Sequence, residues 1–188
     1  YALKKYGIEE TDRTKLYPFI GPPLTVSFER YYGFSKEQSI EAVGYYREYY
    51  REKGIFENRV YDGLVPVLEE LKRRGRTLVV ATSKPEPFAR KIIEHFGLNS
   101  YFDYVAGMEM DGGRGTKEAV IRYALDACRI TDKSKVLMIG DREHDVIGAR
   151  AAGIDCLGIL YGFGSREELL EAGADYIEET AEGILKYS

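Results

Sequence analysis

The chain has 188 residues, a length that suits one compact domain or a domain with a small insert. Hydrophobic residues make up 44% of it, enough for a core and too many for a disordered segment. Lys and Arg number 27 and Asp and Glu 31, a formal charge of −4 that gives no sign of a nucleic-acid or anionic-membrane partner.

The chain opens on YALKKYG, which reads as the middle of a helix with no strand before it. From Tyr1 to about Tyr61 it is rich in Tyr, Phe, Glu and Lys and carries helical periodicity throughout. FIGPPL, Phe19 to Leu24, breaks the helices with a Gly-Pro-Pro turn. From Lys36 to Gly54, Ile40, Val43, Tyr46, Tyr49 and Tyr50 fall at helical spacing, with Ser35 as an N-cap and Gly54 as a stop. The tyrosines read as a half-buried helix surface.

From Asp62 onward helices and strands alternate. Gly63–Gly75 is an amphipathic helix and Thr77–Ser83 an apolar strand. Pro85–Gly97 is a helix with prolines in its first turn, and Tyr101–Gly107 a short strand. Gly112–Gly115 is a flexible loop containing Arg114. Lys117–Ile130 is a helix, and Lys135–Gly140 an unbroken apolar run that predicts a strand buried on both faces. Asp145–Gly153 follows as a helix whose small residues permit close packing. Cys156–Gly162 is a strand, Ser165–Gly173 a helix and Asp175–Glu179 a last strand. This alternation predicts right-handed crossovers and an α/β fold built on a mainly parallel sheet.

Cys128 and Cys156 sit in apolar surroundings without a CxxC neighbour, so both read as free core thiols of a reducing cytoplasm. No signal peptide and no bilayer-length apolar run is legible. A cytoplasmic protein, monomeric or homodimeric, is expected.

In an open parallel sheet ligands bind beyond the carboxyl ends of the strands. Thr82, Ser83 and Lys84 follow the first strand, Lys117 lies beyond the second, and Asp141 and Asp145 follow the third. A hydroxyl, ammonium groups and two carboxylates at one edge suit phosphoryl transfer, where catalysis is positioning and charge stabilisation. Carboxylates do not bind phosphate directly but do hold Mg²⁺, which takes hard oxygen ligands. Each residue also has a plainer reading. Asp145 could be a helix N-cap, Asp141 a turn residue, and Lys117 a solvated helix start. Ser83 and Lys84 could contact phosphate or cap the next helix.

VVATSKP, GRGTKEAVI and GDREHD, in that order, resemble three motifs of the haloacid dehalogenase superfamily. The likeness is greatest to the branch of phosphoglycolate phosphatase and β-phosphoglucomutase, and it covers residues 1–188. The resemblance implies a Rossmann-like parallel sheet flanked by helices over residues 62–188, with a small α-helical cap domain over residues 1–61. It implies Thr82 as the phosphate-binding hydroxyl and Lys117 as the balancing charge, both catalytic. It also implies Asp141 as a Mg²⁺ ligand, and Asp145 as a second ligand or a holder of metal-bound water. FIGPPL resembles the family's cap loop. The expected substrate is a small phosphorylated metabolite.

The family's chemistry begins at an Asp-x-Asp motif that ends a central first strand. No Asp-x-Asp occurs in these residues; Glu143-His144-Asp145 belongs to the acidic motif instead. The resemblance therefore implies a core without its first strand and a polypeptide that does not turn over phosphate esters by an aspartyl-phosphate route. A sheet without that strand is expected to leave two edges unpaired. Two alternatives stay open: a non-catalytic phosphate- or partner-binding module, and a sugar-phosphate mutase. His144 reads as an exposed first-turn residue, His95 as an ordinary helix residue and Arg114 as a loop charge. YGFGSREEL, after the fourth strand, reads as a gate or as a turn capped by Ser165.

Overall fold

The computed structural model describes residues 1–110 and 113–188. The expected loop at Gly112–Gly115 therefore begins outside the described residues. The chain divides into two compact units, Tyr1–Asn58 and Arg59–Ser188.

The first unit is helical. It holds α1 (Ala2–Lys5), α2 (Leu24–Tyr32) and α3 (Lys36–Glu52). Helical periodicity does not run throughout: Arg13–Phe19 is a 3₁₀ turn, started by Asp12, whose side chain accepts the Thr14 N–H at 2.9 Å, and it contains Pro18. The start of α3 follows the sequence. Ser35 Oγ accepts the Gln38 N–H at 3.2 Å while Gln38 Oε1 accepts the Ser35 N–H at 2.9 Å, so two orphan donors are satisfied at once. Of the expected face, Val43, Tyr46, Tyr49 and Tyr50 are half-buried as read. Ile40 departs from it: it is exposed, and the fully buried residues are Ser39 and Ala42. Ser39 tolerates burial because its hydroxyl donates to Glu29 Oε1 and the Lys36 carbonyl, each at 2.9 Å. Phe28 packs between Phe19, edge-on at 5.2 Å, and Phe34, stacked at 5.6 Å.

The second unit alternates as expected. Its helices are α4 (Leu64–Arg73), α5 (Glu86–His95), α6 (Lys117–Ala127), α7 (Glu143–Ala152) and α8 (Arg166–Ala172). Its strands are β1 (Val79–Pro85), β2 (Tyr104–Met108), β3 (Leu137–Gly140), β4 (Asp155–Ile159) and β5 (Tyr176–Glu178). All strand pairs are parallel: β1 with β2, β3 with β4, and β4 with β5. The Asp103 carboxylate takes the Leu78 N–H at 2.8 Å and the Lys72 ammonium at 2.8 Å, which ties α4 to the entry of both β1 and β2.

The single sheet read from the sequence is two sheets, β1–β2 and β3–β4–β5. Among the described residues no ladder joins β1 to β3. This departure explains another. Leu137, Met138 and Ile139 are half-buried rather than buried on both faces, and every residue of β1 is half-buried as well. A parallel strand is normally enclosed by neighbours and covering helices; here, among the described residues, one edge of β1 and one of β3 have no strand beside them. The remaining core is well packed. Val146, Ala149, Cys156 and Leu169 form one cluster, and Val67, Leu157 and Ile184 another.

Cys156 is buried, but Cys128 is only partly so, and both are free thiols. Among the described residues no helix is long and apolar enough to cross a membrane.

Candidate active site

The residues singled out at the strand ends fall in the second unit. β1 bulges after Thr82, where its register against β2 jumps from Gly107 to Met108. The Thr82 hydroxyl accepts the Lys84 N–H at 3.1 Å, which fixes the turn and leaves the hydroxyl hydrogen able to donate. Thr116 caps α6 by accepting the Ala119 N–H at 3.1 Å, so Lys117 leaves from the first residue of that helix.

Lys117 connects β1 to α7. Its ammonium donates to the Ala81 carbonyl of β1 at 3.1 Å and lies 2.8 Å from Asp145 Oδ1 on α7. Each of the two side chains is 11% exposed, so the pair is largely removed from water. The reading of Lys117 as a solvated helix start is corrected: its charge points inward to a partner. Asp145 spends its other oxygen on backbone. Oδ2 accepts the Asp141 N–H at 3.1 Å and the Arg142 N–H at 3.2 Å. A carboxylate in the first turn of a helix is favoured there by the orphan N–H groups and the helix dipole. This pulls the start of α7 two residues ahead of the position read from the sequence.

Asp141 lies beyond Gly140, which ends β3, and is half-buried. Its Oδ2 accepts the Phe163 N–H at 2.8 Å. Tyr61 and Tyr161 meet edge-on at 5.1 Å close to it. Burial first, then the charge of the Asp141 carboxylate, holds the Tyr61 phenol above its ordinary range. Burial likewise pushes Tyr161 up to about 12, with Tyr61 and Asp141 adding to it. Both phenols therefore stay neutral beside Asp141.

His144 differs from its reading as an exposed residue. It is half-buried, and its Nε2 is a buried atom without a hydrogen-bond partner among the described residues. Arg114 is more than a loop charge. It stands at φ +51°, donates to the Gly107 carbonyl at 3.0 Å and lies 4.1 Å from the centre of the Tyr123 ring. Ser165 caps α8 by accepting the Glu168 N–H at 3.1 Å.

As a cation site the arrangement is partial. Among the described residues no group of three or more His, Cys, Asp or Glu could hold a metal ion. Asp145 has both oxygens engaged, by Lys117 and by two backbone N–H groups. Asp141 has one oxygen engaged by backbone, which leaves the other available. A hard carboxylate of this kind fits Mg²⁺, which binds through one or two carboxylates and otherwise keeps water and substrate oxygens.

The chemistry-bearing groups thus meet at the carboxyl ends of the strands. Thr82, Lys117, Asp145 and Asp141 are linked through Ala81, the Lys117–Asp145 pair and the Asp145-to-backbone bonds. The structure gives Ser83 no such link. Sequence reading missed the aromatic pair Tyr61–Tyr161 and the contact from Phe163; the signal available was the YGFG run just beyond β4.

The profile described as haloacid dehalogenase-like hydrolase matches residues 1–159. The chain is 48% identical over 169 residues to the 5'-nucleotidase of Pseudomonas aeruginosa, covering 90% of this chain and 76% of that protein. It is 36% identical over 188 residues to the tyrosine-protein kinase PtkA of Mycobacterium tuberculosis, of which it spans 61%. Among solved structures, a predicted phosphatase from Clostridium acetobutylicum superposes with a TM-score of 0.92 at 49% identity, covering 99% of this chain and 86% of that one.

Proposed function

The chain belongs to the haloacid dehalogenase-like hydrolases, and from that premise we propose that it forms most of a Mg²⁺-dependent phosphatase acting on a small phosphomonoester. The observation that carries the reading is Lys117. Its ammonium is held 3.1 Å from the Ala81 carbonyl, next to Thr82, and 2.8 Å from Asp145, so a fixed positive charge stands among the strand ends. A phosphoryl group there would receive hydrogen bonds from the Thr82 hydroxyl and charge balance from Lys117. Ser83 and Lys84 remain candidate contacts to the same group. Asp141 would hold the Mg²⁺, and Asp145 would orient Asp141 and Lys117. The cation, when bound, supplies neutralisation of phosphoryl charge.

The attacking carboxylate is not among these groups. In this reading it comes from a strand outside the 188 residues that pairs with the open edges of β1 and β3. Those edges support the assignment: two apolar parallel strands end at one site, yet among the described residues no ladder joins them. Residues 1–61 are assigned as the cap domain. The relatives' names favour nucleoside monophosphates and phosphorylated small acids as first substrates to try.

The test is phosphate release from a panel of such esters. Residues 1–188 alone are expected to show none, and a polypeptide carrying an Asp-x-Asp strand ahead of them is expected to show Mg²⁺-dependent release. Turnover by verified residues 1–188 alone would refute the assignment. A mutase would reveal itself by isomerising a sugar phosphate without net phosphate release.

A further inference from the structure

Asp141 is held from a direction its own motif does not explain. The residues between β4 and α8 close over it. The Phe163 N–H donates to Asp141 Oδ2 at 2.8 Å. The two glycines flanking Phe163 are placed where a side chain would not fit. A Cβ at Gly162 would lie 2.3 Å from Asp141 Cβ, and one at Gly164 2.0 Å from the Asp141 carbonyl oxygen. Neither glycine has a left-handed backbone, so close approach, not conformational freedom, accounts for both.

The next turn adds a side chain. Glu168 Oε1 accepts the Glu143 N–H at 2.9 Å and the Arg142 Nε–H at 2.7 Å. A carboxylate from α8 thereby serves the first turn of α7. The five residues from Asp141 to Asp145 are held from two sides: from within by Asp145, which takes the Asp141 and Arg142 N–H groups, and from α8 by Glu168, which takes the Glu143 N–H.

We propose that Gly162–Glu168 is the positioning element of Asp141, with Glu168 as the positioning residue whose carboxylate sets the loop that carries the cation ligand. This rests on reading Asp141 as that ligand. Residues that hold a metal ligand in place from behind alter metal affinity without touching the metal.

The test is Mn²⁺ binding, followed by paramagnetic resonance as a stand-in for Mg²⁺. It compares the wild-type protein with Glu168→Ala, Glu168→Asp and Glu168→Gln, with Glu171→Ala as a control. Ala removes the acceptor and Asp withdraws it by one methylene, so both are expected to weaken binding about 10- to 100-fold. Gln keeps an oxygen for the Glu143 N–H and is expected to restore most of the affinity; a residue needed only for folding would not show that order. Asp is the milder change and carries the test where Ala does not fold. Wild-type affinity in Glu168→Asp or Glu168→Ala would overturn the positioning role while leaving the hydrolase reading intact. Absence of Mn²⁺ binding by the wild-type protein would overturn the reading of Asp141 as cation ligand and the positioning role with it.

Discussion

Lys117 Nζ lies 2.8 Å from Asp145 Oδ1, and neither side chain is more than 11% exposed. In a site so poor in water, a lone charge is costly, whereas the pair roughly offsets its own desolvation. Lys117→Met is therefore expected to lower stability by about 3 kcal/mol by leaving Asp145 unpaired. Lys117→Met combined with Asp145→Asn should recover part of that loss. Urea unfolding of Lys117→Met, Asp145→Asn and the double variant checks this, and additive losses would contradict the coupling.

Gly148 sits in α7 beneath the stem of Lys117. A Cβ there would stand 2.5 Å from Lys117 Cγ and 2.7 Å from its Cβ, atoms too near the backbone to swing aside. Gly44, exposed in α3, has nothing within 4 Å of the same position. Helix propensity alone favours Ala at both sites by about 1 kcal/mol. Gly44→Ala is expected to stabilise by roughly that amount. Gly148→Ala is expected to destabilise by about 1–3 kcal/mol, the cost of overpacking. Opposite shifts in thermal midpoint are the result to look for; equal gains would show that Lys117 has room to spare.

These contacts also mark what a sequence discloses. The alternation of apolar runs with amphipathic segments located the helices and strands of residues 62–188, because periodicity follows from local geometry. It also put Thr82, Lys117, Asp141 and Asp145 at strand ends. Glu168 and Gly148 were illegible, because their roles depend on which helix packs on which. Ile40 was misread as part of the half-buried stripe because helical spacing marks which residues share a face, not how far along the helix the core extends. Burial of β3 was misread because an apolar run records what a strand is fit to contact, not whether its neighbour is there.

Alkaline pH should weaken the second unit. Burial pushes the Cys156 thiol from 9.0 up to about 12, helped by the Asp145 and Asp175 carboxylates. Burial likewise pushes the Tyr161 phenol from 10.0 up to about 12. For an acid with a raised folded value, the folded state holds more protons than the unfolded one between the two values. Stability is then fully present below pH 9 and falls as pH rises toward 12. Urea midpoints at pH 7, 9 and 10.5 should decline in that order. A second readout is iodoacetamide at pH 8: the buried Cys156, 1% exposed, should stay unmodified in native protein while the partly exposed Cys128 reacts first. Rapid native alkylation of Cys156 would show that its strand opens readily.

The unpaired edges of β1 and β3 make a prediction of their own. Val79, Val80 and Ala81 on one side and Leu137, Met138 and Ile139 on the other are apolar and half-buried. Strand edges of this composition pair with whatever extended chain is available. Residues 1–188 should therefore bind a hydrophobic dye and self-associate as concentration rises. An apolar peptide ending in Asp-x-Asp should compete for the same edges, displacing the dye and suppressing association. At a hundred times its dissociation constant it would stabilise the fold by about 2.7 kcal/mol through mass action alone. Scrambling the peptide so that its apolar residues no longer suit a strand should abolish all three effects. If the scrambled peptide works equally well, or if neither shifts the unfolding midpoint, the two edges do not form a strand-accepting slot.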